Sequence, residues 1–145
     1  MSCKKEKTYL YDVDPVTVQQ TGSVKNNLKN TTEFIAIAYA DLFGTTIPSS
    51  DLVELNTLYN SFGDKKMIED RIILNMLNTS GSVIDSVPSV NGDTLLFISN
   101  TYKKLYNRDA SAIEKYYFRE SIRAGDITPV LMYYSLMTSD EYRYY

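Results

Sequence analysis

Two stretches of this chain carry the same pattern of residues in the same order, and any fold has to accommodate both. Phe34-Ile35-x-x-x-Tyr39-x-x-Leu42-Phe43-Gly44 is matched by Phe97-Ile98-x-x-x-Tyr102-x-x-Leu105-Tyr106-Asn107. Asp51-Leu52-Val53-Glu54 is then matched by Ser111-Ala112-Ile113-Glu114, Gly63-Asp64 by Gly125-Asp126, and Leu77-Asn78-Thr79-Ser80 by Leu136-Met137-Thr138-Ser139. Repeated units stack to share a core, so the order of matches predicts two diverged copies of one folded piece. Copy one covers 31–80, a Pro- and Ser-containing linker covers 81–92, and copy two covers 93–145.

Each copy reads as three helices, which makes the fold class all-α with two tandem three-helix units in one domain. Asn30 with Glu33 is a capping box ahead of Ile35, Ala38, Tyr39 and Leu42, and Gly44 is the stop. A second helix starts at Ser50 or Asp51, carries Leu52, Leu55, Tyr59 and Phe62 at helical spacing, and stops at Gly63. Asp64 caps a third with Ile68, Ile72 and Met76 as its stripe. In copy two Asp93 precedes Leu95, Ile98, Tyr102 and Leu105, and Ser111-x-x-Glu114 is a second capping box ahead of Ile113, Tyr117 and Ile122. Thr128-Pro129 opens the last helix, since a Pro at the first helical position lacks an N–H that has no partner there anyway. Val130, Tyr133, Tyr134 and Met137 follow.

Composition narrows the chemistry more than the fold. The chain has 145 residues, enough for a core without staples, and its Lys and Arg are interspersed with acids at a net charge of −3, which argues against a nucleic-acid partner. There is no His, which removes the commonest general base and neutral metal ligand. One Cys, Cys3, permits neither a disulfide framework nor a thiolate zinc site. No stretch approaches the roughly 18 apolar residues of a membrane helix. Paired carboxylates at glycosidase spacing are not evident either: Glu69 and Asp70 are adjacent and point apart on a helix, and Glu114 and Glu120 are poorly matched. Asp12-Val13-Asp14 lacks the further spaced oxygens of a calcium loop. The expectation is a protein without catalysis, cofactor or metal.

Residues 1–30 read as a tether: Lys4-Lys5-Glu6-Lys7 is charged, Asp14-Pro15 blocks helix, and Thr21-Gly22-Ser23 and Asn26-Asn27 are loop-like. A lone Cys at the head of a charged tether resembles an outer-membrane lipoprotein of the Bacteroidota type after its signal peptide is removed. That resemblance implies lipid on Cys3, with Met1-Ser2 standing where the signal peptide ended, and a location in the cell envelope on the periplasmic or surface face. The alternative is a cytoplasmic protein with an incidental Cys.

A second resemblance lies in copy two. Tyr102-x-x-Leu105-Tyr106-Asn107-Arg108, then Glu114, Gly125-Asp126-Ile127-Thr128 and Ser139-Asp140-Glu141-Tyr142, is similar to a helical module of bacterial surface proteins related to phycobilisome-linker domains. Asn107 stands where that pattern has Gly, and copy one has Thr45 where it has Arg. The resemblance implies scaffolding or adhesion. On the residues themselves, Arg108 after one helix and Glu114 in the first turn of the next form a structural clamp across the loop, the carboxylate also suiting the helix dipole. The expected function is therefore that of a lipid-anchored accessory or scaffold subunit of an envelope protein complex. Its expected contact surface is Tyr133, Tyr134, Tyr142, Tyr144 and Tyr145, because Tyr gives a large contact area at small entropic cost. Two alternatives stay open: the Tyr-rich end binds polysaccharide or peptidoglycan, or the tail folds back into the groove between the copies.

Overall fold

A computed structural model describes residues 27–84 and 93–144 of the chain. Among them are six α-helices: α1 (Thr31–Phe43), α2 (Ser49–Ser61), α3 (Lys65–Asn78), α4 (Thr94–Tyr106), α5 (Ala112–Ala124) and α6 (Pro129–Met137), followed by a 3-10 turn (Glu141–Arg143). Local chemistry sets most of the boundaries. Asn30 Oδ1 accepts from Glu33 N at 3.0 Å while Glu33 Oε2 accepts from Asn30 N at 2.9 Å, so the box starts α1 as its spacing requires. Ser111 and Glu114 repeat the arrangement at α5, and the side chains of Asp64, Asp93 and Thr128 cap α3, α4 and α6. Each such cap is worth about 1 kcal/mol.

The fold is two tandem three-helix units. Thr31 and Thr94 open α1 and α4, and Ser49 and Ala112 open α2 and α5, an offset of 63 residues both times. Asp64 and Thr128 cap α3 and α6 at an offset of 64. Gly44 and Asn107, also 63 apart, both end their helices in the left-handed region at φ 67° and 53°. Asn is the residue besides Gly that tolerates this backbone, so the replacement keeps the turn. Burial follows the same register. Phe34, Ile35, Ala38 and Leu42 face the core in α1, and Phe97, Ile98, Thr101 and Leu105 do so in α4. Ile68, Glu69, Ile72 and Ile73 correspond to Met132, Tyr133, Leu136 and Met137.

Within each unit the first helix packs on the other two, and α3 lies against α6 to join the units. One apolar cluster draws on both, so the units share a core. The outer helices α2 and α5 each bury little more than one large side chain, Tyr59 and Phe118.

Several expected details shift. α2 begins at Ser49, so Asp51 rather than Glu54 stands in the place of Glu114; the start is hard to read because its N-cap, Pro48, has no polar side chain. Helix α6 is five residues shorter than α3, so the Leu77–Ser80 match to Leu136–Ser139 marks where the helices end rather than equivalent core positions. Of the stripe expected for α5, Ile122 packs against the core, but Ile113 and Tyr117 face solvent and Phe118 is the buried residue. Leu95 and Val130 are also exposed. The tether ends earlier than residue 30, because Leu28 pairs with Tyr144 in an isolated antiparallel bridge and Lys29 is buried. The linker starts as part of the body too, Val83 N donating to Leu42 O at 2.6 Å. Cys3, most of the tether and linker residues 85–92 lie outside the described residues.

Candidate functional site

Copy two is built around one guanidinium. Arg108 follows the left-handed Asn107 at the end of α4, which turns its side chain toward the start of α5 and the terminal 3-10 turn. Nη1 and Nη2 donate to Glu114 Oε2 and Oε1 at 2.9 and 2.8 Å, and Nε and Nη2 donate to Glu141 Oε1 and Oε2 at 2.6 and 2.7 Å. Nη1 also donates to Asp109 O at 3.0 Å. All five N–H donors are therefore engaged, and the cation lies over the Tyr102 and Tyr106 rings at 5.0 and 5.4 Å. The hydrogen bonds from Arg108 hold the Glu114 carboxyl down at about 2, and those to Glu141 and Glu114 push Arg108 further up. Ser139 completes the joint: Tyr106 Oη lies 2.6 Å from Ser139 Oγ and donates to Leu136 O at 2.8 Å, and Tyr142 N donates to Ser139 Oγ. Burial pushes the Tyr106 hydroxyl up to about 12. The expected Arg108–Glu114 clamp is thus present and extends to Glu141. With its donors committed to the fold, Arg108 has no capacity left for a ligand.

A second polar cluster lies where the tail crosses copy one. Tyr142 Oη donates to Asp41 Oδ2 at 2.6 Å, and Lys29 Nζ donates to Tyr142 O while sitting 4.0 Å from the centre of the same ring. Arg143 Nη1 approaches Glu69 Oε1 to 2.7 Å as an ion pair without hydrogen-bond alignment, and its guanidinium covers the Phe34 ring at 4.8 Å. Tyr59 Oη donates to the same Glu69 oxygen at 3.2 Å. Burial pushes both Asp41 and Glu69 above the ordinary carboxylate value, against the pull of these partners.

The tyrosines expected to form a contact surface are divided by this arrangement. Tyr133 and Tyr142 are fully buried, which corrects their placement at an interface. Tyr133 faces inward because the Thr128 cap sets the phase of α6, and Tyr142 because its hydroxyl finds Asp41. Tyr134 is half-buried and lines an open groove of about 550 Å³ with Asp64, Lys66, Met67, Asp70, Arg71 and Leu74. Tyr144 is partly exposed beside Leu28, and Tyr145 lies outside the described residues.

Large apolar side chains are exposed on several helices, Val53, Leu96 and Leu131 among them, and α5 carries three together. Ile113, Tyr116 and Tyr117 are 82%, 62% and 59% exposed and share one side of the helix at i, i+3 and i+4. Glu114 turns toward Arg108 and Phe118, one turn further on, is buried on the same side, while Ile113, Tyr116 and Tyr117 face solvent. At the corresponding positions of α2 stand Ser50, Val53 and Glu54, also exposed.

Among the described residues, no three His, Cys, Asp or Glu side chains cluster as metal ligands, and no helix is long and apolar enough to cross a membrane. No family model, no curated protein and no solved structure matches this chain.

Proposed function

We propose that this protein is a non-catalytic accessory or scaffold protein of the bacterial cell envelope, anchored by lipid on Cys3 and acting through protein–protein contact at α5. The observation that carries the contact reading is the outward face of Ile113, Tyr116 and Tyr117. An Ile and two Tyr in water on a helix whose counterpart is mostly polar there are not required by the fold, and Tyr is enriched among the residues that dominate binding energy. The non-catalytic reading is supported by the commitment of Glu114 and Glu141 to Arg108 and of Glu69 to Arg143. The anchoring reading rests on Cys3 and its charged flank.

The test is cross-linking in the native host with a tagged full-length protein, with and without Tyr117→Glu, alongside metabolic labelling with an alkyne fatty acid. Contact-dependent adducts that vanish in the variant, and label that vanishes in Cys3→Ser, are expected. Adducts unaffected by Tyr117→Glu overturn the contact surface, and unlabelled wild-type protein overturns the anchor. The open groove beside Tyr134 favours a second reading, binding of a polysaccharide or peptidoglycan fragment, with a ring for stacking and Asp64, Asp70 and Arg71 for hydroxyls. Calorimetric titration with soluble peptidoglycan fragments checks it, and Tyr134→Ala should abolish any heat.

A further inference from the structure

We propose that the groove lined by α3 and Tyr134 of α6 binds a hexuronate unit of an acidic polysaccharide, with Arg71 taking the sugar carboxylate and Tyr134 the face of its ring. This inference rests on the second reading, of the groove as a saccharide site, and names the class of sugar. The distribution of charge carries it. Four charged side chains line the groove, and three of them have partners within the protein. Lys66 and Asp70 form an ion pair one helical turn apart. Asp64 Oδ1 accepts from Met67 N at 2.9 Å, and its charge is offset by the positive end of the α3 dipole. Arg71 is exposed and makes no hydrogen bond, ion pair or ring contact among the described residues. The groove therefore presents one uncompensated guanidinium, whose planar fork matches a carboxylate.

The surroundings of that cation are largely apolar. Met67 and Leu74 stand four residues before Arg71 and three after it, so they share its side of α3. Tyr134, half-buried, lines the same space from α6. A carboxylate carried on a pyranose meets both kinds of surface, its C–H face on the Tyr134 ring and its charge on Arg71. The groove measures about 550 Å³ and is open to solvent, so it takes one unit of a chain lying across it rather than an enclosed small molecule. The glycan strand of intact peptidoglycan lacks this group, because its lactyl carboxyl is held as an amide to the stem peptide. The chain as a whole carries a net charge of −3, so the attraction for a polyanion is local to the groove.

Calorimetric titration of the full-length chain with a galacturonate hexamer, and in parallel with a neutral N-acetylglucosamine hexamer, tests this. The uronate should bind at least about ten-fold tighter, the step expected of a charge-assisted fork, and the gap should narrow in about 0.5 M salt. Arg71→Gln should erase the preference at an unchanged thermal midpoint, because Arg71 has no partner in the fold. Arg71→Lys should restore only part of it, and Tyr134→Ala should weaken both oligomers alike. Equal affinity for the two oligomers, or a uronate preference that survives Arg71→Gln, overturns the proposal and leaves the saccharide reading standing. Poly-glutamate that competes as well as the uronate overturns it in favour of an acidic peptide. If peptidoglycan fragments bind and the uronate does not, this inference fails alone; if none of the three saccharides binds, both readings of the groove fall.

Discussion

The two three-helix units solve one problem, how to hold the loop between their first and second helices, with different materials. In copy one the loop 44–48 is plugged by Ile47, a large aliphatic side chain 5% exposed, and Thr45 beside it faces water. In copy two the same two places hold Ala110, equally buried but small, and Arg108, whose guanidinium ties the loop to Glu114 and Glu141. Apolar volume in one copy is replaced by an ion-paired network in the other. A shared backbone, set by caps and a left-handed turn, thus leaves open which force fixes its loops, and the choice determines how each half responds to salt and pH.

The largest effect is expected where the two halves are sewn together. Tyr142→Ala removes a fully buried ring and leaves Asp41 and Lys29 without it, and should cost about 3 to 5 kcal/mol in urea unfolding. A loss below about 1 kcal/mol would show the seam to be dispensable and the units independent. Next, Ile47→Ala should cost about 3 kcal/mol, with little change on adding salt. Arg108→Ala should cost about 2 kcal/mol, because it strands two partly buried carboxylates, and its cost should shrink in molar salt. Equal salt responses would erase the contrast between the two loops. Arg108→Lys should recover only part of the loss, since an ammonium cannot form two forked pairs at once.

The pH response separates the regions by sign. Glu114 is lowered on folding from 4.5 to about 2, so its contribution is complete above 4.5 and disappears as pH falls through about 2. Glu114→Gln should therefore destabilise at neutral pH and converge on wild type in acid. Asp41 is raised on folding, so its contribution is complete below 3.8 and is lost as pH rises through its elevated folded value. Asp41→Asn should match wild type in acid and gain on it toward neutral pH. Paired melts at several pH values check both directions. The smallest effect is reserved for a transplant: Thr45→Arg with Asp51→Glu sets a clamp pair into copy one, but nothing there plays the part of Glu141. Stability should move by less than about 0.5 kcal/mol.

Features governed by neighbours a few residues apart were legible in the sequence, and those governed by distant ones were not. The two capping boxes, the Asp64, Asp93 and Thr128 caps and the Arg108–Glu114 pair all act over six residues or fewer, and the helices and the clamp followed from them. For Tyr142 the spacing leaves both a contact surface and a folded-back tail open, and its burial is decided by Asp41, 101 positions away. Lys29 was assigned to the tether because its partner is at the other end of the chain. The outward face of α5 stood between these cases. Ile113 and Tyr117 make an inward stripe by spacing alone, whereas the buried residue is Phe118, packed edge-on against the Tyr102 ring sixteen positions away.

The short bridge between Leu28 and Tyr144, with Lys29 N only 2.9 Å from Arg143 O, brings the two ends of the folded body together. Topologically the body is therefore close to a ring with two joints, one between the units and one between the ends. Covalently closing the second joint and opening the first would give a circular permutant that reads copy two before copy one, with every helix contact retained. Which unit comes first is then a matter of where the ring happens to be cut.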